Sequence, residues 1–68
     1  MTEMDKVRKN LRKKREEKGW TAYELSKRTG ITTSHIYNIE SGINAVSINK
    51  LGVLAEALGC TLAELLSE

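Results

Sequence analysis

Apolar residues recur at three- and four-residue intervals in short bursts, most of them entered through Thr or Ser and left through Gly. That rhythm predicts five short helices. The first is expected from about Met4 to Lys18, with Met4, Val7 and Leu11 on one face and Gly19 as the left-handed residue that ends it. Thr21 followed by Glu24 reads as a capping box, so a second helix is expected from Ala22 to about Thr29, stopped by Gly30. Thr32 caps a third from Thr33 to about Ser41, with Ile36 and Ile39 inward and Gly42 as its exit. Ser47 caps a fourth, Ile48 to Leu58, whose stripe is Leu51, Leu54, Ala55 and Leu58 before Gly59. Thr61 with Glu64 repeats the capping box for a fifth, Leu62 to about Ser67, carrying Leu62, Leu65 and Leu66.

None of these helices is long enough to be stable alone, and connections this short force neighbours to pack. The expected core is Val7, Leu11, Trp20, Leu25, Ile31, Ile36, Ile39, Ile48, Leu51, Leu54, Leu58, Cys60, Leu62 and Leu65. The fold class is therefore all-α, and the absence of proline and scarcity of aromatics agree with it. Sixty-eight residues make a single domain with no room for a deep catalytic cavity. An enzyme is not expected, because no Ser/His/Asp, Cys/His or paired-carboxylate set converges on a pocket.

The single cysteine, Cys60, excludes an intramolecular disulfide and a four-ligand zinc site. It reads as a small buried hydrophobe rather than a redox sensor. No metal, cofactor or small-molecule ligand is expected. With no apolar run near the roughly 20 residues that span a bilayer, and no signal-peptide h-region, no membrane partner is expected and the cytoplasm is the expected location. Net charge is only +2, yet residues 1–20 hold eight Lys/Arg against four acids, while residues 51–68 hold three acids and no base. Such polarity suits one face turned to a polyanion, and equally a solvated basic helix.

The segment from Ala22 to Ser41 forms two helices about the turn Gly30-Ile31-Thr32, with Leu25, Ile31, Ile36 and Ile39 as inward anchors. That is a helix-turn-helix pattern. Its fragments are Leu11-Arg12 through Arg15-Glu16-Glu17-Lys18-Gly19, Thr21-x-x-Glu24-Leu25, Gly30-Ile31-Thr32 and Ile36-x-x-Ile39-Glu40-x-Gly42. Ser47, Ile48, Leu51, Ala55, Leu58-Gly59 and Leu62-x-Glu64-Leu65 follow. In this order and spacing the chain resembles the Cro/CI-type, or Xre, helix-turn-helix family of phage and bacterial transcription regulators. The resemblance implies a compact five-helix, lambda-repressor-like domain that binds double-stranded DNA, acts as a repressor and forms a possible homodimer.

The resemblance also implies that the third helix enters the major groove. Base-reading residues would then be Thr33, Ser34, Tyr37 and Asn38, and helical period independently places 34, 38 and 41 on one stripe opposite Ile36 and Ile39, with 33 and 37 beside it. Asn38 is the strongest reader, since an amide can donate to and accept from one adenine. Phosphates would meet backbone N–H groups of Ala22 and Tyr23 at one helix start and of Ser47 and Asn49 at another. His35, Ser41, Asn44 and the Tyr23 hydroxyl are side-chain candidates. Lys50 and the bases of the first helix would add field rather than fixed contacts.

Arg15 and Glu40 match positions that form an ion pair joining the first helix to the end of the third. Departures from the family pattern are Ala22 where a glutamine is usual, Lys14 and Thr29 where apolar residues are usual, and Val46 for a frequent proline. Lys14 could snorkel. Leu66 could serve a dimer interface or be a frayed end. The competing functional reading is a protein-interaction module, such as an antitoxin-like adaptor on the same fold.

Overall fold

The computed structural model describes residues 2–43 and 46–67. Among them are five helices and no strand: α1 (Glu3–Glu17), α2 (Ala22–Thr29), α3 (Thr33–Ser41), α4 (Ile48–Leu58) and α5 (Leu62–Leu66). Every helix starts on a hydroxyl that accepts a backbone N–H three residues on: Thr2, Thr21, Thr32, Ser47 and Thr61. These bonds satisfy donors that the helix itself leaves unpaired.

Two of the caps are reciprocal boxes, Thr2 with Asp5 and Thr61 with Glu64. At the first, the Thr2 backbone N–H donates to the Asp5 carboxylate and lowers its pKa below the ordinary aspartate value. This box starts α1 at Glu3, one residue before the apolar pattern begins. The expected box at Thr21 forms only in half: the Thr21 hydroxyl accepts from Glu24 N at 3.2 Å, but the Glu24 carboxylate lies 3.9 Å from Arg28 one turn on. An i,i+4 cation competes with the cap for the same carboxylate.

α1 packs on α3, α4 and α5, while α2 packs on α3 and α4, so one core lies between them. Its buried members are Val7, Leu11, Ala22, Leu25, Ile31, Ile36, Ile39, Leu51, Leu54, Ala55, Leu58 and Leu65. Trp20 and Cys60, expected inside, are partly buried against it. Ile48 and Leu62 are corrections: Ile48 is 72% exposed and Leu62 also lies at the surface. Each is the first residue of its helix. The α4 stripe is Leu51, Leu54, Ala55 and Leu58, as expected.

Thr29, where an apolar residue is usual, holds the turn together. Its hydroxyl donates to the Leu25 carbonyl at 2.8 Å and accepts from Ile31 N at 3.2 Å, tying the end of α2 to the residue that anchors the turn. Gly30 between them has φ +77, in the left-handed region that glycine enters without steric cost. Lys14 snorkels as its position requires, bringing its ammonium to 3.6 Å from Glu64 on α5.

Candidate nucleic-acid interface

α3 is a nine-residue rod clamped along one side and open along the other. Ile36 and Ile39 are buried in the core, which by the 3.6-residue period turns positions 34, 37, 38 and 41 outward. Ser34 and Ser41 are exposed, Tyr37 is 52% exposed, and Thr33 and Asn38 are half-buried. The Ser41 hydroxyl donates back to the Tyr37 carbonyl at 2.8 Å. Side chains of Thr33, Ser34, Tyr37 and Asn38 make no hydrogen bond among the described residues. The face thus offers two hydroxyl groups, a phenol and an amide whose hydrogen-bonding capacity is left to solvent or to a ligand.

The C-terminal end of this rod is fixed by Arg15 and Glu40. Arg15 Nε donates to Glu40 Oε2 at 2.8 Å and Nη2 donates to Oε1 at 2.9 Å, a bidentate fork. The third guanidinium nitrogen, Nη1, donates to the Trp20 carbonyl at 2.8 Å. Only 10% and 8% of the two side chains is exposed. The Glu40 hydrogen bond raises the arginine pKa further despite the cost of burial, so Arg15 stays charged throughout the usable pH range. One interaction therefore joins α1, the α1–α2 turn and α3. Trp20 itself is covered by cations, with Arg28 Cζ 4.1 Å and Lys18 Nζ 5.3 Å from the ring centroid.

Around the rod, Tyr23 is exposed at the start of α2 with Lys27 Nζ 5.4 Å from its ring, while Ala22 is fully buried. Ser47 uses its hydroxyl to cap α4 at Lys50 N, and Asn49 is exposed on the first turn of that helix. Asn44 lies outside the described residues. His35 Nδ1 stands 3.4 Å from Lys50 Nζ, linking the first turn of α3 to the first turn of α4. That contact joins residues 15 apart in sequence, and the pattern of either helix alone carries no signal for it.

Among the described residues no group of three or more His, Cys, Asp or Glu could hold a metal ion. No helix among them is long and apolar enough to cross a membrane. Burial pushes the Cys60 thiol above its usual pKa, an effect larger than the opposing pull of Lys14. A raised pKa keeps the thiol protonated and slow to react. Alkylation by iodoacetamide at pH 8 is accordingly expected to run several-fold slower in the folded protein than for free cysteine. It should approach the free rate in urea, and an equal rate without denaturant would contradict the burial.

Two helices meeting at a glycine turn, with the second presenting an unbonded polar face and buttressed from behind, define a helix-turn-helix protein of the DNA-binding class. The chain belongs to the Cro/CI-type, Xre-like family of DNA-binding transcription regulators: the family model described as Helix-turn-helix matches residues 11–65. No curated protein and no solved structure matches it.

Proposed function

We propose that this protein regulates transcription by laying α3 in the major groove of a specific duplex and reading it with Thr33, Ser34, Tyr37 and Asn38. The observation that carries the reading is the α3 face itself, where these four side chains have no hydrogen-bond partner of their own among the described residues. Phosphates on either side are met by Tyr23 at α2 and by the N–H groups of Ser47 and Asn49 at α4, with His35 and Ser41 beside the rod. Ala22 is too deeply buried to take part. Bound across a promoter, the domain represses by occlusion. A symmetric dimer would place two α3 rods one helical turn apart, about 34 Å.

Selection of bound duplexes from random DNA tests this, because the recovered motif shows both the half-site and its symmetry. Asn38→Ala is expected to weaken binding to the selected site by about 1 to 3 kcal/mol and to relax one base position, with circular dichroism unchanged. Wild-type affinity and an unaltered motif for the variant would remove Asn38 from the readers. Failure of the wild-type protein to enrich any sequence would sink the reading as a whole.

A further inference from the structure

Beside the C-terminal end of α3 lies an open groove of about 540 Å³ whose other wall is the basic face of α1. Arg8, Lys9, Arg12 and Lys13 line it, together with Ser41 from α3. We propose that this groove holds the sugar-phosphate backbone of the duplex outside the bases that α3 reads, with Lys9 and Lys13 binding its phosphates. The inference rests on the DNA-binding reading above and extends the footprint beyond the recognition helix.

Three observations support it. First, the carboxylates in the groove are already engaged. Asp5 accepts from Arg8 Nη1 at 2.7 Å and from the Thr2 backbone, Glu16 faces Arg12 Nε at 3.4 Å, and both oxygens of Glu40 are on Arg15. Lys9 and Lys13 have no partner among the described residues, although they stand four residues apart on one helical face. Asp5 and Glu17 stand four residues from Lys9 and Lys13 respectively but form no ion pair with them, so both ammonium groups are left to solvent or to a ligand. Two such charges one helical turn apart match successive phosphates.

Second, Arg8 is not a free surface charge. Its guanidinium is folded over Gly42, so closely that a Cβ on that glycine would lie 3.1 Å from Cζ and from Nε. Gly42 has φ +81 and caps α3, so the contact seats α1 against the end of the rod. The groove thereby has a fixed position relative to the reading face. Third, the two surfaces are continuous. Ser41 belongs to the outward stripe of Ser34 and Asn38 and also lines the groove. The α1 cations therefore flank the outward face of α3 at its C-terminal end.

The test is the salt dependence of binding to the selected duplex carrying long flanks, for wild type, Lys9→Gln, Lys13→Gln and Lys18→Gln. Lys18 carries the same charge but caps the far end of α1. Removing one lysine–phosphate interaction should make the slope of log affinity against log salt shallower by about 0.9. We expect that change for Lys9→Gln and for Lys13→Gln, little change for Lys18→Gln, and none for any variant on a duplex trimmed to the bases that α3 reads. Equal slopes for all three variants would overturn the proposal, reducing the α1 cations to a diffuse field while leaving DNA binding intact. Capture of poly-glutamate by wild type but not by Lys9→Gln/Lys13→Gln, with the duplex slope unmoved, would overturn it in favour of an acidic protein partner. Should wild type bind no duplex, this inference and the functional reading beneath it fall together.

Discussion

Replacing Glu40 by alanine is expected to lower stability by about 3 to 5 kcal/mol, because it strands the Arg15 guanidinium where little water can reach it. Two of the three bonds that hold Arg15 end on Glu40, and the third, to the Trp20 carbonyl, does not neutralise the charge. A chain of 68 residues has a total stability of roughly 3 to 10 kcal/mol. The variant should therefore be close to unfolded at 37 °C, with Tm lowered by more than about 12 °C. Replacing both partners with apolar residues, as in Arg15→Met/Glu40→Leu, removes the stranded charge and should recover most of the stability. Thermal melts of wild type, the single and the double variant decide it. A single variant melting within a few degrees of wild type would mean that solvent enters the site and screens the charge.

The same pair determines how binding data must be read. Glu40 sits one residue before the last of α3 and bonds Arg15 rather than any predicted reader, yet its removal would abolish DNA binding through unfolding. Asn38→Ala acts at an unbonded surface amide and should leave the melt unchanged while changing the motif. The two variants separate a group that positions α3 from a group that reads through it.

Helix boundaries were legible because capping is local chemistry: a hydroxyl and an N–H three residues away, then a glycine at the exit. The outward face of α3 was legible for a similar reason, since a period of 3.6 and two buried isoleucines fix which positions oppose them. What the linear pattern did not contain were interactions made by the packing. The Asn10 amide donates to the carbonyls of Leu65 and Ser67, 55 and 57 residues away, and so ties the end of α5 to α1. The approach of Lys50 to His35 and the stacking of Arg8 on Gly42 are of the same kind. Thr29 shows a different limit. Against the family pattern it is a polar residue where an apolar one is usual, whereas in the fold its hydroxyl accepts the Ile31 N–H of the turn.

Leu65→Ala should separate the three leucines of α5, of which the sequence placed Leu62 and Leu65 in the core and Leu66 at a dimer interface or a frayed end. Only Leu65 is buried, at 0% exposure, while Leu66 is 45% exposed and Leu62 lies at the surface. A helix of five residues cannot persist by its own hydrogen bonds and holds its shape because one side chain is anchored in the core. Truncating that anchor removes apolar burial and leaves a void that the end of the chain can only partly fill, at a cost of about 2 to 5 kcal/mol. The segment would then keep the polar links to α1 made by the Asn10 amide and the Lys14–Glu64 pair. Protection of the Leu65 and Ser67 amides from hydrogen exchange should therefore disappear along with the stability. Leu66→Ala, by contrast, should change stability by no more than about 0.5 kcal/mol, as surface substitutions do. If the Leu66 variant instead loses stability on dilution while the Leu65 variant does not, α5 is held by a second copy of the chain rather than by the core. Melts of both variants at two protein concentrations distinguish these arrangements.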